Sequence, residues 1–239
     1  MAYTTVLFDL DFTLFDSETS EPEAFENVCT TFGFEATDGI IESFLAINKR
    51  LWAAVEAGDL TPNDVKTERF AELAAANGLD ADPVAMADTY VYGLGAFGGL
   101  YPGAREMLDE VEQMANLALI TNGIGEVQRT RIERLDLDQY FDAIVISGEV
   151  GTAKPAREIF DITYAELGRP ERTGSLIIGD SLSSDIRGGA GYGIDTCWFD
   201  KADNPTPADP TVTHHINELT EIPAIVEAVS YTHLRAHET

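Results

Sequence analysis

The residues best suited to chemistry in this 239-residue chain sit just past short apolar runs. Asp9 and Asp11 close the run in VLFDLDFTLFD. Thr121, Asn122 and Gly123 close LALITNG. Lys154 follows AIVISGEVGTA, and Asp180 and Asp185 lie in SLIIGDSLSSD. Asp9 and Asp11 alternate with Leu10, so an extended backbone turns both carboxylates to the same side. Asp180, from another run, adds a third. Three carboxylates in one cleft repel one another, and a cation relieves the repulsion. Hard oxygen ligands with room for water suit Mg²⁺. Lys154 balances further negative charge, and Thr121 offers a hydroxyl donor. A site with Mg²⁺, a lysine and hydroxyl donors suits a phosphoryl group.

Taken singly, each has a plainer reading. Asp9 and Asp11 could form a strand-end turn or a helix cap. Thr121-Asn122-Gly123 is good turn sequence, and a lone lysine is usually solvated. Asp185 could cap the helix that begins DIRGG. Gly188, Gly189, Gly191 and Gly193 fit tight helix–sheet packing better than phosphate cradling. His214 and His215 read as structural.

Convergence requires elements that bring these run ends together. Residues 4–8 read as a buried strand, short, β-branched and apolar. From about residue 17 to residue 89 the pattern is helical, with apolar residues three and four apart. Gly58, Gly78 and the start signal Thr61-Pro62-Asn63-Asp64 punctuate it. After Tyr101-Pro102-Gly103, strands and helices alternate: AREMLDEVEQM, LALITNG, EVQRTRIERLD, AIVISGE, AREIFDITYAELG, SLIIGDS, DIRGGAGYG and TCWFD. Such alternation predicts an α/β fold, a doubly wound, Rossmann-like parallel sheet with helices on both faces. In such sheets ligands bind beyond the carboxyl ends of the strands, where these residues lie. The expected domains are a core of residues 1–16 and 96–228 and an all-helical cap of residues 17–95.

Composition bounds the function. The formal charge is −27, from 42 acidic and 15 basic residues, with the acids dispersed along the chain. Dispersed acidity predicts adaptation to high salt, as in halophilic archaea, where screening removes self-repulsion. It argues against nucleic-acid or anionic-membrane partners, which need basic patches. No apolar run approaches a membrane span, and the first residues lack a secretory pattern, so a cytoplasmic location is expected. Cys29 and Cys197, far apart among apolar or aromatic neighbours, read as buried free thiols. The last stretch, VSYTHLRAHET (residues 229–239), breaks from the acidic composition and reads as a non-native, adapter-derived tail.

DLDFT, TN, the isolated Lys-Pro and GDSLSSD, in this order, resemble the four motifs of the haloacid dehalogenase superfamily, with a helical cap in the expected place. The resemblance implies an aspartyl-phosphate mechanism. Asp9 would be the nucleophile and Asp11 the general acid and base. Thr121 and Lys154 would grip phosphoryl oxygens, and Asn122 and Gly123 would add donors to the substrate. Asp9, Asp11 (through its carbonyl) and Asp180 would hold Mg²⁺, with Asp185 orienting the metal shell. Thr13 would fix the turn after the first strand. Hydrolytic dehalogenases of the superfamily lack an acid two places after the nucleophile, so Asp11 favours the phosphatase branch.

The stretch from Gly179 to Pro207 resembles a subgroup of pyrimidine 5′-nucleotidases, which implies a nucleoside 5′-monophosphate. Phosphoglycolate or sugar-phosphate phosphatases and phosphomutases are the alternative; a 2-haloacid dehalogenase or a non-catalytic binding module stands further off. Phe12 departs from the acid or glycine common at its position. In the cap, Arg50, Trp52, Tyr90 and Tyr92 could contact a base or sugar. The expected partner is a small phosphorylated metabolite, bound by a monomer or homodimer.

Overall fold

A computed structural model describes residues 2–202 and 204–228; the proposed adapter-derived tail lies outside them. The elements run β1 (Thr5–Phe8), α1 (Ser17–Phe32), α2 (Asp38–Ala57), α3 (Pro62–Asn77), α4 (Pro83–Ala96), α5 (Ala104–Val111), β2 (Asn116–Thr121), α6 (Gly125–Arg134), β3 (Ala143–Ile146), α7 (Ser147–Val150), α8 (Arg157–Glu166), β4 (Ser175–Gly179), α9 (Arg187–Tyr192), β5 (Asp195–Phe199), β6 (His214–Ile216) and α10 (Ile222–Ala228).

The six strands form one sheet in the order β3-β2-β1-β4-β5-β6, and every neighbouring pair is parallel. β1 lies between β2 and β4, with Phe8 paired to Leu119 on one side and Ile178 on the other. All four of its residues are buried, as the continuous apolar run requires of a strand covered on both faces. Side chains then divide by period two. Val6 and Phe8 pack with Met107, Leu108 and Val226 on one face, and Leu7 packs with Ile120, Phe160 and Tyr192 on the other. The chain builds outward through β2 and β3, then crosses back to β4. The strand order therefore reverses between β1 and β4, which opens a crevice at their carboxyl ends.

Between β1 and this crossing lies the helical cap, α1–α4. Its caps match the local sequence signals. Thr61 and Asp64 form a reciprocal capping box ahead of Pro62, and Gly58 and Gly78 close α2 and α3 in the left-handed conformation. The cap helices pack around an aromatic cluster in which Phe44 touches Phe25, Phe70 and Tyr90, with ring centroids 4.2–5.7 Å apart, and which extends to Ile124 and Val127 of the core. α4 carries no basic residue in its last turn. Two core arginines from α6 satisfy the carbonyls there instead. Arg131 Nε donates to Leu94 O (2.8 Å), and Arg134 donates to the carbonyls of Gly95, Phe97 and Gly98 (3.0–3.2 Å). These bonds fasten the cap's exit to the core.

The elements depart from the sequence reading in two places. The strand read through AIVISGE ends at Ile146, and Ser147–Val150 turns into a short helix. The Gly-rich helix is preceded by a wide π-type turn at Leu182–Ile186, a feature often found at functional sites. Both cysteines are free and buried, as expected. No helix among the described residues is long and apolar enough to cross a membrane.

Candidate active site

A cavity of ≈ 280 Å³ lies over the β1/β4 crevice, between core and cap. Asp9, Asp11, Asn122, Gly123, Lys154, Asp180 and Asp185 all line it, so seven of the eight residues singled out from sequence converge there. The exception is Thr121.

Lys154 is the centre of the charge arrangement. It is 1% exposed, and Nζ lies 2.5 Å from Asp9 Oδ1, 2.7 Å from Asp185 Oδ1 and 2.6 Å from the carbonyl of Ile120 at the end of β2. Burial works against its charge, but Asp185 and Asp9 together outweigh burial and hold the ammonium charged. The contact to Asp185 Oδ1 is a close, buried ion pair. The other Asp185 oxygen accepts from Ser181 N (3.0 Å). Gly179 makes room for this: a Cβ there would stand 2.2 Å from Asp185 Oδ2.

One lysine does not neutralise the acids around it. The Asp9 carboxyl is raised to about 7, by burial above all, with Lys154 opposing the rise and Asp185 and Asp11 adding to it. Asp180 is also held well above the usual carboxylate range, by burial first and then by Asp185 and Asp9. Asp9, Asp180 and Asp185 can each present one oxygen, all within 4.8 Å of one another. This excess of buried negative charge over a single lysine fits a small hard divalent cation. Thr13 ties the two strand ends together. Its Oγ1 donates to Asp9 Oδ2 (3.4 Å) and accepts from the Asp180 amide (3.1 Å). It therefore bridges two strands, beyond fixing a turn. The Asp180 carbonyl accepts from Trp198 Nε1 (2.8 Å).

Asp11 is held apart from this cluster. Its Oδ1 accepts from Ser17 Oγ (2.5 Å) and from Arg131 Nη1, and its Oδ2 accepts from Gln128 Nε2 (2.5 Å). Sequence reasoning missed Ser17, Gln128 and Arg131. A usable signal was present: Gln128 and Arg131 are three apart in EVQRTRIERLD, hence on one helix face, and α6 begins directly after the TNG turn. Phe12, directly after Asp11, has φ +61°. That left-handed conformation disfavours a side chain by about 1–2 kcal/mol, which is why glycine suits the position.

Three of the expected donors are also engaged within the protein. Thr121 is fully buried and does not line the cavity; its hydroxyl accepts from Gln128 Nε2 (3.0 Å). The Asn122 side chain is bonded at both ends to the Lys154 backbone, Nδ2 to its carbonyl and Oδ1 from its amide (2.8 Å each). The Gly123 amide donates to Ser147 Oγ (3.0 Å). These contacts frame the lysine and glutamine; they leave the Thr121 hydroxyl hydrogen and the second Nδ2 hydrogen of Asn122 unused. A turn cannot be distinguished from a ligand cradle until its neighbours are known.

The cap contributes Glu21 from α1, Asn48, Trp52 and Glu56 from α2, Arg69 from α3 and Leu94 from α4. Burial, aided by Asp11, pushes Glu21 up to about 7. Of the four cap residues suggested from sequence, only Trp52 reaches the cavity. Arg50 pairs with Glu72 outside, Tyr92 is exposed, and Tyr90 is buried in the cap core.

Sequence and fold comparisons place the chain among known proteins. The chain is 33% identical over 224 residues to the pyrimidine 5′-nucleotidase YjjG of Escherichia coli, covering 93% of this chain and 97% of that one. It is 30% identical over 235 residues to the pyrimidine 5′-nucleotidase PynA of Streptococcus pneumoniae, covering 98% and 94%. The crystal structure of the HAD-hydrolase YfnB from Bacillus subtilis, bound to magnesium, superposes with a TM-score of 0.85 at 31% identity, covering 95% of this chain and all of that one. The family model described as haloacid dehalogenase-like hydrolase matches residues 6–199, and the chain belongs to that family.

Proposed function

We propose that the protein is a Mg²⁺-dependent phosphomonoesterase acting through an aspartyl-phosphate on a small metabolite, with nucleoside 5′-monophosphates as the favoured substrates. One observation carries the reading: a buried lysine is shared by Asp9 and Asp185, Asp180 joins them, and Asp11 is clamped two residues from Asp9. The nucleotidase relatives support the substrate class.

In this reading Asp9 attacks phosphorus, and the bond from phosphorus to the ester oxygen breaks. Asp11 gives that oxygen a proton. A water then attacks the aspartyl-phosphate, passing its proton to Asp11, and phosphate leaves. Arg131, Gln128 and Ser17 fix the Asp11 carboxyl between the two half-reactions. Thr121 acts through Gln128, and Asn122 acts through Lys154. Lys154 offsets the charge that repels an incoming phosphoryl group. Asp9, Asp180 and Asp185, with the Asp11 carbonyl, would hold Mg²⁺, which supplies electrostatic stabilisation of the phosphoryl oxygens. A cytoplasmic, high-salt setting belongs to the same proposal, the latter motivated by the charge of −27.

The test is phosphate release in molar KCl from nucleoside monophosphates, sugar phosphates and phosphoglycolate, with Mg²⁺ or with chelator. Metal-dependent release, greatest on pyrimidine monophosphates and absent in Asp9→Asn, is expected. Folded protein that releases nothing from any ester would refute the proposal.

A further inference from the structure

We infer that Trp198, backed by His215, is a positioning residue for Asp180, and that this support lets the acidic cluster discriminate Mg²⁺ from a larger cation such as Ca²⁺. The inference rests on the metal-binding part of the reading above and goes beyond it by assigning the residues that aim one ligand.

The three acids of the cluster are held in different ways. Asp9 is held by Lys154 and Thr13, and Asp185 by Lys154 and the Ser181 amide. Asp180 has no ion pair among the described residues, and its carboxylate accepts no hydrogen bond from another residue there. It directly follows β4 and precedes the wide turn at Leu182–Ile186. Packing confines it weakly, because it lines two cavities: the catalytic one, and a second of ≈ 340 Å³ that Phe12, Trp198 and Asp200 also line. Its backbone must therefore set the aim of its carboxylate, and the backbone is held at two points. The amide donates to Thr13 Oγ1 (3.1 Å), and the carbonyl accepts from Trp198 Nε1 (2.8 Å). One anchor comes from the β1 side and the other from β5.

Trp198 is itself fixed. It pairs in register with Gly179 of β4 and His215 of β6. Its indole is 7% exposed and stacks on the His215 ring, with centroids 4.5 Å and planes 24° apart. His215 Nδ1 lies 2.7 Å from Thr206 Oγ1, and Nε2 lies 3.9 Å from Asp200 Oδ2. His215, which reads as structural from sequence, thus braces the ring that braces Asp180.

The link to ion choice follows from coordination chemistry. Mg²⁺ requires near-ideal octahedral geometry at about 2.0–2.1 Å, whereas Ca²⁺ accepts a looser shell at about 2.3–2.6 Å. A ligand free to shift costs Mg²⁺ more than Ca²⁺. Groups that orient a metal ligand typically change affinity by about 10- to 100-fold when removed.

Calorimetric titration of the metal-free protein in molar KCl with Mg²⁺, and separately with Ca²⁺, tests this without turnover. Trp198→Phe keeps a ring against His215 and removes the N–H. It should weaken Mg²⁺ by about tenfold or more and Ca²⁺ by about threefold or less. His215→Ala should shift the ratio of the two affinities in the same direction, and His215→Phe, which keeps a stacked ring, should retain the parent ratio. Should Trp198→Phe fail to fold, the His215 pair of variants carries the test. The inference is overturned if Trp198→Phe binds both ions as the parent does, or weakens both equally. A lower urea midpoint in chelator with the parent's ratio of affinities would also overturn it, by giving Trp198 a role in the fold alone. His215→Ala with an unchanged ratio would overturn the bracing role of His215. A parent protein that binds no Mg²⁺ would refute the metal reading itself; one that binds Mg²⁺ while the variants match it would refute only the positioning.

Discussion

Asp9→Asn should make the metal-free protein more stable at alkaline pH while abolishing turnover. The Asp9 carboxyl is raised from 3.8 to about 7, chiefly by burial. A carboxyl raised on folding favours the native state while it stays protonated. That contribution is complete below pH 4, declines as pH rises and is lost above about pH 7. At about 1.4 kcal/mol per pH unit, the span corresponds to a loss on the order of 4 kcal/mol between pH 4 and pH 8. Asparagine has nearly the same shape and no charge, and Lys154 keeps Asp185 as its counter-ion. Urea unfolding in molar KCl with chelator, at pH 5 and pH 8, reads this directly. The variant should exceed the parent at pH 8 by several kcal/mol, match it more closely at pH 5, and show a flatter pH dependence. A variant less stable than the parent at pH 8, with an unchanged pH slope, would refute the charge-strained site. Adding Mg²⁺ to the parent at pH 8 should recover much of the same stability.

Other perturbations test the supports of the site. Arg131→Met removes a buried cation that joins Asp11 to the carbonyl of Leu94. It should cost about 3–5 kcal/mol, read as a lower urea midpoint; an unchanged midpoint would refute the pairing. Gly179→Ala places a Cβ 2.2 Å from Asp185 Oδ2 and should lower kcat about 100-fold or more through loss of the Asp185–Lys154 contact. Wild-type turnover there would show that Asp185 is dispensable. With a charge of −27, the thermal midpoint should rise between 0.1 and 2 M KCl, as screening weakens self-repulsion. A fall over that range would contradict the salt-adapted reading.

The sequence alone determined a good deal. β1 announced itself as an apolar run ending in two acids, and the later alternation of strand and helix patterns implied a parallel sheet. Capping signals such as Thr61-Pro62-Asn63-Asp64 and Gly78 are local, set by backbone geometry within a few residues, and the structure follows them. Strand-end position sufficed to nominate Asp9, Asp11, Lys154, Asp180 and Asp185, because a parallel sheet gathers its carboxyl ends along one edge.

Tertiary structure decided what each group faces. Thr121 and Lys154 look alike from sequence, each a polar residue following an apolar run. Only the packing of α6 places Gln128 over Thr121, and only the loop after α7 turns Lys154 inward to Asp9 and Asp185. Ser17, Gln128 and Arg131 meet Asp11 across as many as 120 residues of chain. The cap shows the same limit. Helical periodicity could not distinguish Trp52, which reaches the cavity, from Tyr90, which lies in the cap core, or reveal that Arg69 is buried at the cavity wall. Local sequence sets conformation through short-range sterics and hydrogen bonds. The charge state and exposed functional groups of a site depend on neighbours that only the packed fold supplies.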